Sequence, residues 1–259
     1  MKDCLEEWYD AASRVRIVLA DVTDAAQRLA AGHLCGPVAA HFLAEHLAAA
    51  ALLASETSEP DETVILQMKC SGPLGGVTVE CTGAGTLRGY TEKKTLDDFD
   101  GLGVFDARKI VGARQYQVTR SVPGRIISQG VATTLGGYLT QSLQRNAEIR
   151  VEAVVTDAVE VCEARGIMVE ALPDSTAPRD SRLLPTGLKL GVASRNILKK
   201  LGYPNAELKR SQPLAFACRC SPERAVAMLS ALTPEERREL PSPVAVTCHM
   251  CGRTFEVKL

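Results

Sequence analysis

Four cysteines near the C-terminus have the residue type and spacing to hold a metal ion. They are Cys218-Arg219-Cys220 and, after 27 intervening residues, Cys248-His249-Met250-Cys251. Two close cysteine pairs at this separation can place four thiolates around one tetrahedral Zn²⁺. Gly252 follows the second pair and can take the positive-φ turn that lets backbone amides face metal-bound sulfurs. His249 lies between two of these cysteines, but four thiolates already complete a tetrahedron. The same residues can also do redox chemistry, because the thiolate is the oxidisable form of cysteine. One residue separates the cysteines of the first pair, a tight bite that suits a disulfide once the metal leaves. Reach is consistent with pairing within each close pair, and the sequence leaves pairing across them open.

The elements that must position these thiols can be read along the chain. With 259 residues the chain can bury a full core, and 46% of its residues are apolar, although only 4% are aromatic. No run approaches 18 apolar residues without a charge, so no transmembrane helix is expected. The N-terminus lacks a secretory h-region, and a reducing cytoplasmic setting is expected, with thiols free or metal-bound. Net charge is −1 overall, but residues 1–173 carry 16 Lys+Arg against 23 Asp+Glu and residues 174–259 carry 14 against 8. A mildly basic tail thus follows an acidic body, which favours the two docking on each other.

Arg14 to Val22 reads as a strand, Asp24 as the cap of a helix over Ala25 to His33, and Pro37 as the first turn of a long, alanine-rich buried helix to about Ser55. Val64 to Cys70 and Val77 to Cys81 alternate as strands about a Gly-Pro turn, with Cys70 and Cys81 on the inward phase. Residues 101–131 hold further short strands. A helix is expected over Ala132 to Ala147, then strands over Ile149–Thr156, Val159–Cys162 and Gly166–Leu172. Cys35 and Cys162 read as buried structural thiols, and Asp97, Asp98 and Asp100 as a solvated turn. Residues 174–215 differ: they open on Pro173 to Pro178, are interrupted by further prolines, carry 8 basic against 3 acidic residues, and promise one short helix, Ser194 to about Leu201. This segment reads as a marginal linker that depends on its neighbours. Beyond it, Ser221-Pro222 starts a helix, Thr233-Pro234-Glu235-Glu236 is a capping box, and Val244–Thr247 with Thr254–Val257 form a small hairpin. The fold class is α+β: an N-terminal β-sheet and helix domain (1–173), a helical linker (174–215) and a small C-terminal Cys4 zinc module (216–259).

These residues carry a resemblance. C-R-C-S-P-E-R at 218–224 and C-H-M-C-G at 248–252, with an aromatic at Phe255, resemble the zinc module of the redox-regulated heat-shock chaperone family, the thirty-three-kilodalton chaperonin. Gln67 through Gly75 is similar to that family's Q-x-x-x-x-G-P-L-x-G strand and turn, Arg88-Gly89-Tyr90 to its R-G-Y, Tyr138 through Gln144 to its Y-L-x-Q-S-E-Q, and Gly166 through Pro173 to its strand ending in L-P. The chain thus resembles a diverged member over nearly its whole length. The resemblance implies a holdase, not an enzyme, that binds unfolding client proteins under oxidative stress. It implies one Zn²⁺ per chain and an inactive state when reduced. When oxidised the family is zinc-free, active and homodimeric, with disulfides Cys218–Cys220 and Cys248–Cys251.

The residues support the same chemistry. A structural Zn²⁺ contributes on the order of 10–16 kcal/mol, which in a module of this size is folding energy. Oxidation should therefore unfold the module, weaken the linker and expose the apolar surface that the linker covers. Two other classes are disfavoured. A zinc-ribbon nucleic-acid-binding protein would suit the basic tail but not the scarce aromatics or the net charge. A thiol-disulfide enzyme would need a C-x-x-C opening a helix. No membrane partner is expected.

Overall fold

The computed structural model describes residues 3–103, 105–177 and 182–258; Pro178, in the stretch that opens the linker, lies outside them. The chain begins with antiparallel strands β1 (Cys4–Asp10) and β2 (Val15–Asp21), then helices α1 (Thr23–His33) and α2 (Pro37–Ala54). Strands β3 (Thr63–Cys70), β4 (Gly76–Thr82) and β5 (Thr86–Thr91) follow, with a short α3 (Ala107–Val111) before the β6 (Arg114–Val122) and β7 (Arg125–Ala132) hairpin. A one-turn α4 (Leu135–Gly137) runs into a π-helical turn, Tyr138–Ser142, and then β8 (Asn146–Val155) and β9 (Val161–Ala171).

Two sheets result. One has the order β10-β1-β2-β9-β8 and the other β11-β5-β4-β3-β6-β7, where β10 (Glu207–Pro213) and β11 (Ala215–Phe216) come from the segment after the body. Helix α2 lies between them, packed on β2, β8 and β9 of the first sheet and on β3, β4 and β5 of the second. This explains its composition: alanines let two sheets approach one helix, and Leu43, Leu47 and Leu52 fill the remaining space with no exposure. By length and apolar content α2 could cross a membrane, but most of it is buried inside the fold. Gly166 in β9 faces it, where a Cβ would come within 2.7 Å of Leu52 Cδ1.

The differences from the sequence reading have local causes. β1 shows no clear alternation because Leu5 belongs to the central core while Trp8 faces the opposite side of the sheet, and a bulge lies between Glu7 and Trp8. Asp24 does not cap α1; the buried Asp3 carboxylate accepts from the Asp24 and Ala25 amides at 2.9 and 2.7 Å. Asp100 is no solvated turn residue either, since it accepts from the Val38 amide at the start of α2 and from the Leu96 amide. The helix expected over Ala132–Ala147 is reduced to α4 and the π-helical turn, because Asn146 already belongs to β8. The two strands expected over Val159–Cys162 and Gly166–Leu172 are one, β9. Cys35 and Cys81 are buried, Cys70 is half-buried, and Cys162 is exposed rather than a core thiol.

Residues 182–206 carry the expected helix, α5 (Ser194–Lys200), and bury several large apolar side chains. Leu183, Leu184, Leu188, Leu190, Ile197 and Leu198 cover the outer face of the first sheet, over Trp8, Ile17, Leu19, Ile167 and Val169. Their irregular backbone is held by charged side chains of β8. Glu148 accepts from the Leu183 and Leu184 amides and Glu152 from that of Leu190, while Arg150 donates to the Pro185 and Leu188 carbonyls. The segment has no core of its own; its apolar side is buried only while it lies on this sheet.

Candidate metal centre

The last elements are α6 (Pro222–Ser230), α7 (Pro234–Arg238) and a hairpin of β12 (Val244–Thr247) and β13 (Thr254–Val257). The caps read from the sequence are present: Ser221 accepts from the Arg224 amide, and Thr233 and Glu236 form a reciprocal capping box. Between these elements the four expected cysteines converge. Their Sγ atoms all lie within 4.8 Å of one another, with Cys218–Cys248 at 3.7 Å and Cys220–Cys251 at 3.5 Å, and none is in a disulfide. A tetrahedral thiolate site with metal–sulfur distances of about 2.3 Å has sulfur–sulfur edges of about 3.8 Å, so the cluster fits a metal ion of that size. Gly252 has φ +72°, as the knuckle turn requires, and donates to the Cys248 carbonyl at 2.9 Å.

Electrostatics at the sulfurs favour one thiolate even without a metal. Burial pushes the Cys218 thiol up, but hydrogen bonds from the Cys220 amide and thiol and from Arg88 outweigh it and bring it down to about 7. Burial and the neighbouring sulfurs push Cys220 up. Cys251 is also raised by burial, against the Arg253 amide that faces its sulfur.

The cluster sits on the body. β11 adds in parallel to β5, pairing Ala215 with Thr86 and Phe216 with Leu87, and the Ala217 amide donates to the Leu87 carbonyl at 3.1 Å. Gly89 of β5 donates to the Met250 carbonyl at 3.1 Å. His249 stands edge-on to Tyr90, with ring centroids 3.9 Å apart, and so packs on the body. Arg88 Nη1 lies 3.9 Å from Cys218 Sγ, and its Nη2 donates to Glu80 Oε2 at 2.7 Å. The other oxygen of Glu80 accepts from Arg219, the residue between the first two cysteines, at 2.5 Å. Where the last turn of α1 meets the second knuckle, a Cβ on Gly252 would come within 2.0 Å of the Gly32 carbonyl oxygen. The sequence singled out Arg88-Gly89-Tyr90 only as part of a resemblance. It also missed Glu80, whose role depends on a register between β4 and β5 that pairs it with Arg88.

A family model described as Hsp33 protein matches residues 3–258. The chain belongs to the Hsp33 family. Among curated relatives, a "33 kDa chaperonin" of Thermus thermophilus is 30% identical, with 93% of this chain and 80% of that protein covered. The protein of the same name from Symbiobacterium thermophilum is 27% identical, with 98% and 94% covered. The crystal structure of the 33 kDa chaperonin from Thermotoga maritima superposes with a TM-score of 0.88 at 19% identity, over 100% of this chain and 95% of that one. This Hsp33-family chain is thus a chaperone, with the family's mixed α and β fold and a C-terminal four-cysteine cluster able to hold a metal ion.

Proposed function

We propose that the chain is a redox-regulated holdase, inactive when reduced and zinc-bound, and active when its four cysteines are paired as disulfides and the metal is gone. One observation carries this reading: the four-thiol cluster is docked on β5 immediately after a segment whose apolar side chains cover a large apolar sheet face. We assign residues 1–173 to client binding and dimerisation, 174–215 to a metastable linker and 216–259 to the redox switch.

Zn²⁺, when bound by Cys218, Cys220, Cys248 and Cys251, would hold all four as thiolates and tie the two knuckles together. The module's own core cannot do this, since Ala225, Val244, Cys251 and Val257 are its buried apolar residues among those described. Two thiolates and one hydrogen peroxide give one disulfide and two hydroxide ions, through attack of one thiolate on peroxide oxygen and of the second on the resulting sulfenic acid. Two such steps consume all four ligands. We assign the disulfides to Cys218–Cys220 and Cys248–Cys251, following the family. Loss of the thiolates removes the folding energy of the module. The strand pair β11–β5 then loses its support, and the linker can leave Trp8, Ile17, Leu19, Ile167 and Val169 open to apolar segments of unfolding proteins in the cytoplasm.

The test is suppression of aggregation of a thermally unfolding client. Reduced, zinc-loaded protein should suppress poorly, and the same protein after peroxide and mild heat should suppress well as a homodimer. Equal suppression by both forms would refute the switch.

A further inference from the structure

Strand β10 is an unusual partner for a sheet edge. It reads Glu-Leu-Lys-Arg-Ser-Gln-Pro, and most of its side chains are exposed, including Leu208. None is β-branched or aromatic, the types that favour strands. Yet it pairs with β1 from Cys4–Pro213 to Tyr9–Glu207. Its contribution to this pairing is therefore mainly backbone hydrogen bonding. Its polar side chains reach past β1 instead: Arg210, opposite Glu7 in the register, donates to the Ser55 carbonyl, and Gln212 donates to the Gly83 carbonyl, while Glu7 is paired with Arg16. The strand is continuous with the linker that covers the adjacent sheet face.

We propose that the outer edge of β1 is a strand-addition site for extended segments of unfolded polypeptide, and that β10 occupies it in cis as an exchangeable cover. A row of unpaired amides and carbonyls recognises backbone and is indifferent to sequence, which suits partners with no common sequence. Alternate side chains of an added strand would point onto the face left by Leu188, Leu190 and Ile197, against Trp8, Ile17 and Leu19, so an apolar alternating segment gains both kinds of contact. Glu6, whose carboxylate accepts from the Trp8 indole, favours a basic residue at the edge, whereas Glu7 is already paired with Arg16. A charged, weakly strand-forming cover protects the edge from self-association until it is released. This inference rests on the linker-release reading above and names how the client is held.

The test uses the oxidised, zinc-free full chain and a heptapeptide alternating valine with lysine and threonine. Two further versions carry backbone N-methyl groups, one on the odd and one on the even residues, which removes the donors along one edge at a time. With several backbone hydrogen bonds at stake, one methylated version should bind at least about tenfold more weakly than the parent, while the other keeps its affinity. The β1 amides facing β10 should exchange freely after oxidation and regain protection when the parent peptide is added. Equal binding of all three peptides, or equal loss in both methylated versions, overturns strand addition. So does protection of these amides in the oxidised protein without peptide, whether from retained β10 or from a second copy's β10. Client aggregation measured on the same sample separates the two readings: clients held with no edge discrimination leaves linker release standing, and clients not held removes it.

Discussion

Arg219, the residue between Cys218 and Cys220, donates to the carboxylate of Glu80 at 2.5 Å, and that carboxylate is almost fully buried on β4. Its other oxygen is held by Arg88, which also faces the Cys218 sulfur. Two guanidiniums, one carboxylate and the thiol cluster therefore share one interface. When the cysteines are thiolates the two cations face ample negative charge; as disulfides the cluster leaves them only Glu80. On the proposed switch, oxidation should therefore weaken docking through charge as well as through loss of metal.

Replacement Arg219→Met should loosen the docked module without removing a thiol. Because the Arg219 side chain is half-exposed, the pair contributes on the order of 1 kcal/mol, so exchange of the Gly89 amide, bonded to Met250, should rise about five- to tenfold in the reduced protein. Zinc content should stay at one per chain, and Arg219→Lys should restore part of the protection.

A strong chelator applied under reducing conditions should unfold residues 216–258 and leave the body intact. The four buried apolar residues of the module cannot replace metal binding energy on the order of 10 kcal/mol. Amide spectra should lose the β12–β13 resonances while those of α2 and β3 persist. Retention of the hairpin resonances would show that the module folds without metal.

Leu198 is fully buried between the linker and the sheet, so Leu198→Ala should cost about 2–5 kcal/mol of local stability, with little effect on the central core. The reduced variant should suppress client aggregation partly, without peroxide, while still binding zinc. No suppression in a variant whose linker amides exchange freely would separate linker release from client holding.

Peptide mapping after peroxide should find Cys218 joined to Cys220 and Cys248 to Cys251. Contacts across the knuckles are also short, with Cys218 3.7 Å from Cys248 and Cys220 3.5 Å from Cys251. Cross-linked knuckles would keep the module compact after metal loss and would argue against unfolding as the signal.

The four-cysteine cluster was legible in the sequence because its parts are local: two cysteine pairs, a glycine turn and two helix caps each lie within a few residues. α2 and the β3–β4 hairpin were legible from local signals too, α2 from Pro37 and its unbroken alanine-rich apolar run and the hairpin from alternation about a Gly-Pro turn. What was hidden depends on distant pairing. β10 has no strand composition and forms because β1 offers an edge. β1 itself feeds two cores and so lacks alternation, and the linker's leucines are spaced by the sheet they cover rather than by a helix. Asp3 and Asp100 cap helices from 21 and 62 residues away, beyond any local signature.

Trp8 provides the most direct measurement of the central claim that cysteine oxidation releases the linker. It is the only tryptophan, it is buried beneath the linker, and the guanidinium of Arg195 lies 4.6 Å from its ring centroid. Its emission should be recorded together with zinc release during peroxide treatment at mild heat. A red shift that tracks the release of one zinc per chain and reverses with reductant and zinc is the predicted result. Complete zinc release with Trp8 emission unchanged would contradict the account.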